Sequence, residues 1–226
     1  MPRSPRAAEP VSATTTPAAR PVRRRRRAED QEEFRRLILG QAKQLYRAGG
    51  YAGLSVRGIA AAIGMSPMAL YSYFPSKQAL VKHIWIDFFK ELLGRMLDSA
   101  RGRRTPLDVL RASVLAFVEY WEEHPDHFRM VYLHACRDDG GPDLEYSDDP
   151  VYEQVIALNE ERFLACVQGA PSPERAARQL RELSFVKMMG YLYTTLALGR
   201  YPIANRAQLK RSLVDDILRS VESAVK

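Results

Sequence analysis

The chain has 226 residues, 46% hydrophobic and 27% charged, an ordinary globular composition with enough length to bury a sizeable core. No apolar run approaches the roughly 20 residues of a membrane span, and the first thirty residues lack the apolar stretch of a secretory signal. Two cysteines, Cys136 and Cys166, without CxxC spacing point to a reducing, cytoplasmic setting rather than a disulfide framework, and the net charge of +7 favours a polyanionic partner.

Residues 1–30 are rich in Pro, Ala, Thr, Ser and Arg and include the run Arg23–Arg27. They hold too little apolar surface to offset the entropy of ordering, which predicts a disordered, arginine-rich arm. Residues 1–28 alone carry eight arginines and one glutamate. After four acids at 29–33, residues 34–86 contain seven lysines or arginines and no aspartate or glutamate. The remainder, 87–226, has 19 bases and 22 acids, so the charge is concentrated at one end.

The first helix is predicted from about Glu32 to Ala48, with Phe34, Leu37, Ile38, Ala42 and Leu45 on one face and Gly49-Gly50 as its stop. Ser55 caps a short helix, VRGIAAAI. Gly64-Met65 makes a turn, then Ser66 caps a second short helix in which Pro67 takes the first position. That helix, MALYSYF, stops near Phe74-Pro75. Ser76 opens a long helix from about Lys77 to Ala100. Further helices are predicted from Thr105-Pro106 to Glu123, from Pro125 to about Arg137, from Pro150 to Gln168, from Pro173 to Leu198 and from Asn205 onward, with an acidic loop at 138–149. Nine helices, no period-2 strand and no internal repeat make the fold class all-α.

Residues 55–74 carry the most specific pattern. Ile59, Ile63, Met65, Leu70 and Tyr73 have the spacing for a shared small core. Ala60 stands where two helices approach closely, and Gly64 where the turn needs a positive φ. These are the requirements of a helix-turn-helix, whose second helix enters the DNA major groove. On that reading Ser66, Pro67, Met68, Ala69 and Ser72 lie at the exposed start of the groove helix, with Met68 and Ala69 suited to thymine methyl groups. Tyr71 and Tyr73 offer hydroxyls to phosphates, although Tyr73 serves equally well as core. Ser55 and Arg57 hold the backbone from the preceding helix, or Arg57 reaches a base. Lys77 sits at a helix start against its own helix dipole, a placement that a bound phosphate explains.

With those residues in view, 34–85 resembles the N-terminal domain of the TetR family of transcriptional repressors. The lead-in FRRLILGQAKQLYRAGGYAGLSV, the turn SVRGIAAAIGMS and the run ALYSYFPSKQALV match it together. Two departures stand out: Met68 where the family often has a small residue, and a longer arginine-rich leader. The resemblance implies a helix-turn-helix domain over 31–80 and a helical effector-binding and dimerisation domain over 81–226. It implies a homodimer formed through the two C-terminal helices on a palindromic double-stranded operator. It also implies a small-molecule effector and no cofactor.

Within the body, Leu209, Leu213, Ile217, Leu218 and Val221 form an apolar stripe at helical spacing, readable as a dimer seam or as internal core. Phe117, Trp121, His124, Phe128 and Tyr132, with Met188 and Tyr191 from a later helix, are the expected lining of a hydrophobic or aromatic effector pocket. A metal site from His124, His127, His134 and Cys136 is set aside, since no second-shell pattern accompanies it. No GxSxG, HExxH, Walker or GxGxxG motif is present, so an enzyme is not expected. A DNA-binding protein without an effector shares every residue of the helix-turn-helix reading and differs only in the body.

Overall fold

The computed structural model describes residues 21–133, 149–198 and 201–225. Among them the chain is helical throughout, with nine α-helices and no strand. They are α1 (Pro21–Gly53), α2 (Val56–Ala62), α3 (Pro67–Tyr71), α4 (Lys77–Ser99), α5 (Pro106–Glu123), α6 (Pro125–Phe128), α7 (Pro150–Cys166), α8 (Pro173–Leu196) and α9 (Arg206–Ser223). A single π-helical turn, Arg129–Leu133, follows α6.

Most helix starts follow from one local interaction, a side-chain oxygen accepting from a backbone N–H that has no partner within the helix. Ser55 accepts from Gly58, Ser66 from Ala69, Ser76 from Ala79, Thr105 from Asp108, Asp149 from Val151 and Asn205 from Gln208, all at 2.9–3.1 Å. Ser172 makes no such bond, and α8 begins there on Pro173 alone.

Three expectations shift. α1 begins at Pro21, not near Glu32, so the arginine run lies on the helix. Proline fits a first helical position, and arginine and alanine are strong helix formers even where they bury nothing. Residues 1–20 of the expected arm lie outside the described residues. At the other end the axis breaks at Gly50 (φ 63°, ψ −160°), and a further turn runs to Gly53. Finally, the helix expected to reach Arg137 is regular only to Phe128, then widens into the π turn. His134, Cys136 and the acidic loop up to 148 lie outside the described residues.

α1, α2 and α3 form a small N-terminal unit, and α5, α7, α8 and α9 pack into the body. α4 belongs to both. Near its start His83 meets Phe74 edge-on at 5.1 Å; further along, Phe88 stacks on His127, and Phe89 meets Trp121 and Tyr152. One continuous apolar core therefore runs from Ile38 in α1 to Val221 in α9. Two ion pairs join the units across the same helix junction: Lys43 to Asp87 and Arg47 to Asp126, both at 3.0 Å.

The C-terminal stripe divides. Ile217, Leu218 and Val221, with Val214, are buried in the chain's own core. Leu209 is exposed and Leu213 half-buried. The exposed apolar side chains gather instead on α8, where Leu183, Val186 and Tyr193 are 49%, 65% and 46% accessible.

Candidate nucleic-acid interface

α2 and α3 meet through the turn at Gly64, whose φ of 69° is the left-handed conformation that favours glycine. The Met65 N–H donates to the Ala60 carbonyl at 2.8 Å and closes the turn. Ile59, Ala60 and Leu70 are buried between the helices, and Ile63, Met65 and Tyr73 pack against them. Gly58 is a requirement that periodicity did not reveal. A Cβ there would stand 2.8 Å from the Ser55 Oγ that caps α2.

Packing of Leu70 inward turns the start of α3 outward. Met68 is 79% accessible and Tyr71 45%. Ser66, Pro67 and Ser72 are exposed and Ala69 half-buried. Two of the hydroxyls already serve the fold: Ser66 caps α3, and Ser72 donates to the Ala69 carbonyl at 2.6 Å. Ser55 and Arg57 are exposed on α2. Tyr73 is half-buried and stacked on Phe34, with ring centroids 6.0 Å apart, while the Arg35 guanidinium donates to its carbonyl. Its packing role is therefore the one in evidence. Lys77 opens α4 beside these helices, half-buried.

The charge of this surface is smaller than the sequence count implies. Of the seven cations in 34–86, Lys43 and Arg47 are paired to acids of the body, and Arg35 lies over the Phe74 ring at 5.6 Å. Arg36 and Arg57 stand exposed.

The body holds a cavity of about 170 Å³ between α5, α7 and α8. Its walls are Phe117 from α5; Tyr152, Ile156, Asn159 and Phe163 from α7; and Arg181, Glu182, Phe185 and Met188 from α8. Of the seven residues expected to line a pocket, Phe117 and Met188 do so. Trp121 and Phe128 are fully buried and pack edge-on against each other in the core. Tyr132 packs against both. His124 stacks on His127 with centroids 4.6 Å apart and lies 3.6 Å from Glu91. The Tyr191 hydroxyl donates to Glu122 at 2.5 Å, tying α8 to α5. The α7 wall was missed, yet its residues fall at i, i+4, i+7 and i+11, one face of a helix. A wider open cleft of about 580 Å³ lies by the ends of α7 and α9 and includes Cys166.

No helix among the described residues is long and apolar enough to cross a membrane, and no cluster of His, Cys, Asp or Glu among them has the arrangement of a metal site.

Residues 38–84 match the family of bacterial regulatory proteins described as the tetR family. The uncharacterized HTH-type transcriptional regulator YuxN of Bacillus subtilis is 30% identical over 99 residues, 44% of this chain and 34% of that protein. The chain spans about a third to a half of the length of the first curated relatives it matches. Two solved structures share the fold over nearly their full length. A protein of unknown function from Rhodococcus sp. RHA1 aligns with a TM-score of 0.65 at 21% identity, covering 82% of this chain and 93% of that one. The fatty acid degradation regulator FadR from Bacillus halodurans aligns with a TM-score of 0.64 at 16% identity, covering 81% and 94%.

Proposed function

The chain belongs to the TetR family of transcriptional regulators and carries that family's helix-turn-helix DNA-binding domain, and from this premise we propose that it is a cytoplasmic, ligand-responsive repressor acting as a homodimer. The observation that carries the DNA half is the capped start of α3, turned outward with Met68 exposed, in a stretch of chain, 34–86, that contains no acid. In this reading Pro67, Met68, Ala69 and Tyr71 face the major groove. Ser55, Ser66, Arg57 and Lys77 hold the flanking phosphates.

The dimer reading is supported by the exposed apolar side chains that concentrate on α8. Two α8 helices packed through Leu183, Val186 and Tyr193, joined by Leu209 of α9, would give an isologous interface suited to a palindromic operator. The effector reading is supported by α8 having two faces. Arg181, Phe185 and Met188 line the cavity, while Leu183 and Val186 lie on the apolar surface. Whatever fills the cavity bears on the helix that sets the dimer. A ligand lowers DNA affinity to the extent that it prefers one dimer arrangement, because the recognition helices must sit roughly 34–36 Å apart.

The experiment is a salt series on an operator selected from random duplexes. Lys77→Ala is expected to weaken binding to all duplexes about equally and to reduce the salt slope by about one. An unchanged slope removes Lys77 from the phosphate contacts. Failure of the wild-type chain to select any duplex overturns the DNA reading. A chain that selects an operator but answers to no small molecule loses the effector half alone.

A further inference from the structure

The cavity between α5, α7 and α8 has a definite size and a definite polarity, and together they narrow its ligand. About 150 Å³ of apolar cavity holds one benzene, so about 170 Å³ fits one ring with a small substituent. Its apolar walls are mainly aromatic. Phe117 and Phe185 meet at 68° with centroids 6.4 Å apart, an edge-to-face pair that a third ring can join in the same geometry.

The polar groups decide the charge. Among the described residues Arg181 is the one cation on the wall, but its two terminal nitrogens lie 3.5 Å from Glu160 and 3.5 Å from Glu182. One guanidinium between two carboxylates leaves no net positive charge to hold an anion, while its buried Nε, which has no hydrogen-bond partner among the described residues, can donate to a neutral acceptor. Beside the Tyr152 hydroxyl, the uncharged polar group is the Asn159 amide. Its amide nitrogen donates to the Val155 carbonyl at 2.9 Å, which settles which end of the amide is which. The amide oxygen remains as its acceptor.

We infer that this cavity takes a single-ring, uncharged aromatic carrying one hydrogen-bond donor, a phenol or an aniline in chemical class, with its donor on the Asn159 oxygen. The inference deepens the effector reading and rests on it for regulation, but binding itself is measured without DNA.

The test uses the full chain and four probes of nearly equal size: phenol, toluene, benzoate and benzylamine. Thermal shift and titration calorimetry read binding, and operator anisotropy is read separately. Phenol is expected to bind tightest of the four. Asn159→Leu is expected to weaken phenol about three- to tenfold, the worth of one hydrogen bond, and to leave toluene unchanged. Ile156→Phe fills the cavity and is expected to abolish binding of both. If that variant misfolds, Asn159→Ser supplies the same comparison of phenol with toluene at lower cost to packing. Benzoate or benzylamine binding tighter than phenol overturns the charge assignment. Toluene matching phenol overturns the donor. A hexadecanoate chain binding where no single ring does overturns the size. Phenol bound with the Asn159 dependence, but without operator release, upholds the ligand class and fails the effector reading instead.

Discussion

His127 shows most clearly how burial changes a residue's chemistry. It is 5% accessible, stacked on Phe88 with centroids 3.6 Å apart at 13°, and its Nδ1 lies 3.1 Å from the Tyr120 hydroxyl. Burial pushes its pKa down from 6.5 to about 4, helped by the charge of His124 and opposed by Asp126. The unfolded chain therefore binds a proton that the folded chain refuses between those values. This contribution is intact above about pH 6.5 and is lost as pH falls towards 4. Urea denaturation at pH 7 and pH 5 is expected to show a lower midpoint at pH 5, and His127→Gln is expected to shrink that difference. Asp126, held below its ordinary range against burial by its hydrogen bond to Arg47, adds its own loss only at lower pH. Gly58 is the second residue with a sharp consequence. Gly58→Ala puts a Cβ on the Ser55 hydroxyl and disrupts the α2 cap. A stability loss of about 1 kcal/mol in denaturant titration is expected, with weaker operator binding, because α2 seats α3.

At the scale of the helix, burial separates the apolar stripe of α9 from the exposed apolar face of α8. Ile217 lies on a stripe readable as a dimer seam or as internal core, and it is fully buried in its own chain. Ile217→Asp is expected to destabilise the monomer fold by at least about 3 kcal/mol, since a carboxylate would lie in the core. Val186→Asp, on the exposed face of α8, is expected to leave the thermal midpoint within a few degrees and to yield a monomer by light scattering. A folded, dimeric Val186→Asp would move the interface off α8.

At the scale of the molecule, the N-terminal unit and the body are joined by α4 and by the pairs Lys43–Asp87 and Arg47–Asp126. Both pairs are partly exposed and each is worth less than about 1 kcal/mol. Their expected effect is on orientation, because they tie α1 to α4 and to α6. Arg47→Ala is expected to change stability little while altering how far a bound ligand shifts operator affinity. The arginine-rich N-terminus is expected to act over a longer range. Deleting residues 1–28 removes a net charge of +7. Affinity for both operator and random duplex is expected to fall at low salt and to converge with the full chain at high salt, as measured by anisotropy.

Much of this architecture was legible in the sequence because it is local. Ser55, Ser66, Ser76, Thr105 and Asn205 announce helix starts through bonds to residues three positions on. Gly64 announces the turn because the left-handed conformation there disfavours a Cβ. The helix-turn-helix, built from two adjacent short helices, is almost wholly local and was read residue by residue. What tertiary structure alone decided involves partners far apart in the chain. Spacing makes a stripe apolar without saying which neighbour covers it, so Ile217 went inside and Val186 stayed outside. The aromatic run around Trp121 has the composition of a pocket, but α4, α5 and α6 close over it and make it core. The cavity opened one layer away, against an α7 face brought there by folding. The basic face lost two of its charges to Asp87 and Asp126, 44 and 79 residues downstream, because ion pairing depends on distance in space and sequence order does not encode it.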